Sequence, residues 1–149
     1  MAPLYSLEGR VYWSETDAAQ IAHFTSILRY CERAEEEFML SLFRGRWRRG
    51  ELIFPRVHVE CNYYTPLAPH ERWRVDIVSI RLGAKSIEYN FEVYNLDRGE
   101  LAARGKIVAV AFDPRRGLAV EIPGEARKIL LEAGAVEKGQ KSGDSGKGG

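Results

Sequence analysis

Asp17 is the residue of this chain best placed to do chemistry. It lies in a small, polar segment, SETDAAQIAHFTS, that leads straight into a long amphipathic stretch. Aspartate side chains are ionised near neutral pH, so this one can act as a nucleophile or as a general base toward water. The competing reading is a turn residue whose carboxylate accepts nearby backbone N–H groups. His23, Phe24 and Thr25 stand where the amphipathic stretch begins. The first N–H groups of a helix have no partner within it and lie at the positive end of its dipole, so they polarise a carbonyl set against them. His23 either orients a water or lines a pocket there, or it is a satisfied histidine at a helix entrance. His58 falls on the polar side of an alternating segment and His70 in a proline-rich turn, and both are read as structural or solvated. No two histidines stand at ligand spacing with carboxylates, so no metal is expected. Cys31 and Cys61 form no CxxC pattern and are read as small core residues, with a bridge between them left open.

These groups need elements to hold them. Ile27, Cys31, Ala34, Phe38 and Leu42 recur at spacings of three and four, which predicts one buried face of an α-helix. Thr25 or Ser26 is the expected N-cap. Glu32, Arg33, Glu35, Glu36 and Glu37 fill most of the opposite face, and the pattern fades at Arg44-Gly45. A short strand is expected before the helix, from Gly9 to Trp13.

Four strand-like segments follow. Val57, Val59, Cys61 and Tyr63 alternate with Arg56, His58, Glu60 and Asn62. Trp73, Val75 and Ile77 alternate with polar residues, as do Ile87, Tyr89, Phe91 and Val93. Gly105 to Phe112 is apolar on both faces and should be central or covered by a partner. Leu82-Gly83-Ala84 and Leu96 to Gly99 read as hairpin connections, Pro66 and Pro69 flank a turn, and a short helix is expected over Glu125 to Glu132.

The fold class is therefore α+β: one long helix packed on a five-stranded antiparallel sheet. Residues 1–137 form the domain, and the Gly/Ser/Lys-rich residues 138–149 a flexible tail. One helix cannot cover both faces of such a sheet, and its edges need protection, so a homo-oligomer is expected.

The chain has 149 residues, 45% of them hydrophobic and 29% charged, enough for a core without staples. A formal net charge of +1 gives no general argument for nucleic acid or membrane binding. The opening MAPLYSLEGR has no signal-peptide pattern, so a cytoplasmic protein is the default expectation. Arg44, Arg46, Arg48 and Arg49 around Trp47 read as a solvated loop, a rim for an anionic substrate, or an RNA contact.

This order of elements and its residues resemble the hot-dog-fold acyl-CoA thioesterases of the 4-hydroxybenzoyl-CoA thioesterase type. Asp17, Ile21, Phe24, Tyr30, Glu32 and Ala34 match the family motif, Tyr63 to Leu67 its Tyr-x-x-Pro-Leu segment, and Arg81 to Ser86 its basic hairpin. The likeness runs from about Glu8 to Gly134. Many relatives carry a glycine at the position of Ala19 or Gln20, which this chain does not keep.

The resemblance implies hydrolysis of an acyl-CoA thioester to acid and CoA, with Asp17 as nucleophile or general base and the Phe24 backbone amide as oxyanion donor. His23 is a further candidate. Thr25, Arg81, Lys85 and Ser86 would bind substrate and CoA. No cofactor is implied beyond the CoA of the substrate, and no nucleic acid or membrane partner. A homodimer or homotetramer with its site between subunits is implied as well. Hot-dog enzymes of the other type place the carboxylate within the helix, where Glu32, Glu35, Glu36 and Glu37 stand here. Two hot-dog alternatives remain: a non-hydrolytic acyl-CoA or fatty-acid binder, and a dehydratase built on His23.

Overall fold

The computed structural model describes residues 2–44 and 52–139. Helix α1, Phe24–Phe43, buries Ile27, Cys31, Ala34 and Phe38 of the predicted stripe and Tyr30 beside it, while Leu42 is only partly buried. Its cap is neither Thr25 nor Ser26 but His23, whose extended backbone precedes the first turn and whose Nδ1 accepts the Thr25 N–H at 3.2 Å. The helix starts two or three residues earlier than the Ser/Thr rule suggests because an imidazole nitrogen takes the place of the hydroxyl. Arg44 ends the helix in the left-handed region, φ 45°. Arg46, Trp47, Arg48 and Arg49 lie outside the described residues.

The main sheet is antiparallel, in the order β1 (Tyr5–Arg10), β3 (Arg72–Leu82), β4 (Ser86–Asn95), β5 (Glu100–Val110) and β2 (Arg56–Tyr63). The first strand lies earlier than predicted. Trp13 falls instead in a 3₁₀ turn, Trp13–Glu15, with its ring exposed. Gly9 pairs opposite Trp73, and a Cβ at Gly9 would collide with that indole, so only glycine lets β1 close on β3.

Two short strands, β6 (Phe112–Asp113) and β7 (Leu118–Ala119), form a separate ribbon. Helix α2, Gly124–Glu132, buries Ala126, Ile129 and Leu130 beside the end of α1. A last strand, β8 (Val136–Glu137), pairs parallel with Arg81 and Leu82 of β3, and the Lys138 N–H donates to the Leu82 carbonyl at 2.8 Å. The tail expected from residue 138 otherwise falls on residues 140–149, outside those described.

Among the described residues the sheet register slips in three places. One is in β4–β5 at Val93/Tyr94, where Ala102 and Ala103 are both buried, and the other two are in β3 and β2. In β3 the register slips between Ile77 and Ser79, so Trp73, Val75 and Ile77 face α1, Val78 is exposed, and Ile80 and Leu82 face inward again. In β2 it slips between Arg56 and His58, so Arg56 pairs with the buried Ala109 and turns to the helix side. There its guanidinium meets Glu35 at 2.6 Å. Period-two counting put Arg56 on the polar face and helical counting put Glu35 on the exposed one. The Glu35 expectation fails, since its side chain is buried. Arg56 remains exposed, but the extra residue at Val57 reverses the phase of the strand and brings its guanidinium to Glu35.

The expected apolar face of β2 is also largely bare. Val57 is 59% and Val59 47% exposed, because β2 is the sheet edge that α1 does not cover. The last long strand starts earlier than predicted and is interior, between β4 and β2, which accounts for its apolar character on both faces.

Candidate active site

The Asp17 loop is a tight reversal that bonds mainly to itself. The Asp17 N–H donates to the Ile21 carbonyl at 3.0 Å, the Gln20 N–H to the Asp17 carbonyl at 2.8 Å, and the Ala19 N–H to Asp17 Oδ1 at 2.9 Å. The turn requires a left-handed residue, supplied by Gln20 at φ 64°. Of the two positions where relatives carry glycine, this is the one whose backbone favours it. Asp17 thus behaves as a turn residue through one oxygen, while Oδ2 accepts no hydrogen bond from any described residue.

Glu15 anchors the loop to the fold. Its carbonyl accepts the His23 N–H at 2.9 Å and the Ser26 hydroxyl at 2.8 Å. Its Oε1 accepts the Tyr12 N–H at 2.9 Å and the Tyr30 hydroxyl at 2.7 Å. Tyr30 is fully buried and stacks on Trp73 with ring centroids 4.3 Å apart. Burial and the neighbouring Glu15 carboxylate both push the Tyr30 hydroxyl far above its ordinary range, so it stays a donor. Reading the sequence missed Glu15; a carboxylate two residues before Asp17 carries no periodic signal.

The second wall is the loop after β2. The Ala22 N–H donates to the Leu67 carbonyl at 2.8 Å, and the Tyr63 hydroxyl to the Phe24 carbonyl at 2.9 Å. Fully buried Asn95 and Glu71 hold that loop: Glu71 Oε1 accepts the Ala68 N–H at 2.8 Å and the Asn95 amide at 2.9 Å. Between the two walls lies a cavity of about 410 Å³, lined by Asp17, Phe24, Ile27, Tyr63, Tyr64 and Leu67 among others.

Phe24 is the first residue of α1. Its ring is 59% exposed, and its N–H has no acceptor among the described residues. The neighbouring amides are taken: Thr25 by His23 Nδ1 and Ser26 by the His23 carbonyl at 2.8 Å. A residue with an unsatisfied N–H at a helix N-terminus thus lines the same cavity as Asp17. His23 is spent on capping through Nδ1, which also lies 2.7 Å from the Thr25 hydroxyl.

The basic hairpin is elsewhere. Ser86 pairs with Val110 at one end of β5, whereas Ala102 at the other end lines the Asp17 cavity; eight residues of strand put them about 27 Å apart. Within one chain, Arg81, Lys85 and Ser86 are not beside Asp17. Of the helix carboxylates Glu32, Glu35, Glu36 and Glu37, only Glu35 is buried, and it lines a different cavity near the end of α1. Cys31 and Cys61 are free thiols, and burial raises the Cys31 thiol well above its usual range. No helix among the described residues is long and apolar enough to cross a membrane.

A long helix cradled by a sheet in the order β1-β3-β4-β5-β2, with a carboxylate loop entering that helix, defines a hot-dog-fold protein. The model of the thioesterase-like superfamily matches residues 11–130. A 1,4-dihydroxy-2-naphthoyl-CoA hydrolase of Parasynechococcus marenigrum is 30% identical over 142 residues, 87% of this chain and 90% of the relative. One from Synechococcus sp. (strain CC9605) is 31% identical over 120 residues, 75% of this chain and 79% of the relative. The solved structure of a 1,4-dihydroxy-2-naphthoyl-CoA thioesterase from Synechocystis shares the fold at a TM-score of 0.77 and 20% identity, over 86% of this chain and 96% of that one. This chain belongs to the thioesterase-like superfamily and is a hot-dog-fold thioester hydrolase of the acyl-CoA type.

Proposed function

We propose that this enzyme hydrolyses an aromatic acyl-CoA, of the kind named for its 1,4-dihydroxy-2-naphthoyl-CoA hydrolase relatives, using Asp17 and the Phe24 amide. The observation that carries the residue roles is their shared cavity: Asp17, with one oxygen that no described residue bonds, and Phe24, with an N–H that has no acceptor among the described residues, both line it. A thioester carbonyl oxygen accepts the Phe24 N–H, which stabilises the charge that builds as the carbonyl carbon becomes tetrahedral. Asp17 supplies the electron pair in one of two ways. Its carboxylate attacks the carbonyl carbon, the C–S bond breaks to release CoA thiolate, and water then cleaves the mixed anhydride. Alternatively it takes a proton from water, whose oxygen attacks directly. Both routes give the free acid and CoA.

The functional unit is a dimer through β2. The Arg56 end of β2 lies beside Ala109, toward the basic hairpin, and its Tyr63 end beside Ala103, toward Asp17. Antiparallel pairing with a second copy therefore carries the Arg81, Lys85 and Ser86 end of one sheet to the Asp17 end of the other. Strands sit about 4.8 Å apart, so the two groups come within reach of one extended CoA. The exposed Val57 and Val59 supply an apolar, unpaired edge for that contact.

Asp17→Asn tests the reading on a panel of aromatic and aliphatic acyl-CoAs. A loss in kcat of about 10²- to 10⁴-fold on the best substrate is expected. Unchanged turnover rejects Asp17 as the acting group.

A further inference from the structure

The Glu35 cavity is unused by the chemistry at Asp17. It measures about 420 Å³ and lies between the second half of α1, the start of β4 and α2, with Met39, Phe43, Phe54, Ile87 and Leu130 in its walls. A dry apolar cavity of about 150 Å³ already admits benzene, so this one holds a fused aromatic ring system. Most of its lining is apolar; the charged residues in it are the exposed Glu36 and Arg44 and the buried Glu35, which stands with Tyr89 and is paired to the Arg56 guanidinium. Glu35 is 7% and Tyr89 3% exposed. Burial pushes the Glu35 carboxyl above its usual range against the pull of Arg56. A carboxylate offers about four acceptor positions, and its contacts with Arg56 and Tyr89 leave some of them open. Burying this acid is costly, and the part-exposed Arg56 offsets the cost only in part.

The position of the pocket supplies the partner. Arg56 is the first residue of β2 and Tyr63 the last, and Tyr63 bonds to Phe24 at the Asp17 cavity. In the β2-paired dimer the Arg56–Glu35 pair of one subunit thus lies next to the Tyr63, Phe24 and Asp17 end of the other.

We infer that the Glu35 cavity of each subunit receives the aryl group of the thioester held at the partner's Asp17, and that Glu35 selects an aryl group bearing a hydroxyl. The inference rests on the dimeric, Asp17-dependent reading above. The hydroxyl donates to a remaining acceptor position of Glu35 beside its Arg56 and Tyr89 contacts, and the apolar walls take the ring. Glu35 is a specificity-determining residue, not an acid or base in the reaction.

The experiment compares a hydroxynaphthoyl-CoA with naphthoyl-CoA, and adds a mixing test. The wild-type enzyme should prefer the hydroxylated thioester. Glu35→Gln should lower kcat/KM on it by about tenfold or more beyond any loss on naphthoyl-CoA, because only the hydroxylated ring loses a partner. Equal losses on both, or no preference in the wild type, overturn the assignment.

Met39→Trp, which fills the cavity without touching a charge, should depress turnover of both naphthoyl substrates. Mixing unfolded Asp17→Asn and Met39→Trp chains and refolding them should restore about a quarter of wild-type activity, since half of the dimers then carry one site with both halves intact. No recovery, with wild-type chains refolding normally in parallel, means the cavity does not serve the partner's Asp17. Full turnover by Asp17→Asn alone would reject the Asp17 reading, and the Glu35→Gln comparison would still decide the pocket.

Discussion

The Tyr30 hydroxyl donates to Glu15 Oε1 at 2.7 Å, joining the buried centre of α1 to the loop that carries Asp17. The same carboxylate oxygen accepts the Tyr12 N–H, so one acid fixes both the start of the loop and its seat on the helix. Tyr30→Phe removes the donor and leaves the ring stack on Trp73. A loss of about 1.5–3 kcal/mol in urea unfolding is expected, as for hydrogen bonds to charged groups. Because the loop shifts with respect to Phe24, kcat should fall more than KM rises. A variant with lower stability and normal kcat would separate the anchor from the site.

Phe24→Pro isolates the oxyanion donor. Proline is well tolerated at the first position of a helix, and His23 before it is already extended at φ −61°, ψ 147°, as a pre-proline residue must be. The variant keeps the helix and deletes the N–H together with the ring, and Phe24→Ala controls for the ring. Its kcat should drop about 10²- to 10³-fold, whereas Phe24→Ala, which keeps the amide, should lose far less. Equal rates for the two variants would remove the Phe24 amide from the mechanism.

Val59→Lys addresses the dimer. Val59 is half-exposed in the middle of the β2 edge, and a lysine there blunts strand addition. Sedimentation should show a shift to monomer, and activity at low protein concentration should fall with the dimer fraction while circular dichroism stays native. A fully active monomer would refute the shared site.

Glu71 gives the enzyme an acid-sensitive wall. Burial works to raise its carboxyl, but the Ala68 N–H, Asn95 and Arg98 outweigh it and hold the group below its ordinary range. A carboxyl depressed in the folded state adds stability above its unfolded pKa of about 4.3 and loses it as pH falls through the folded value. Glu71→Gln should therefore cost about 1–3 kcal/mol at pH 7, with the gap to wild type closing below about pH 4. Urea midpoints across pH 3 to 7 measure it; a gap that does not narrow would show that the bonds, not the charge, matter.

Local pattern was enough for several of these features. The stripe from Ile27 to Phe38 marks α1, alternation marks β3 and β4, and the Asp17 segment stands out by its motif and its place before the helix. Each depends on neighbours a few residues apart, where helix and strand periods act directly. What only the tertiary structure decided comes from register and long-range pairing. A bulge at Val57 brings Arg56 to Glu35, 21 residues away; the Glu15 bond to Tyr30 spans 15 residues. The pairing of β4 with β5 sets Ser86 and Lys85 at the far end of the sheet from Asp17, and leaves β2 as a bare apolar edge. A single extra residue in a strand reverses every side chain beyond it, and no local count of hydrophobic residues records where that residue is absorbed.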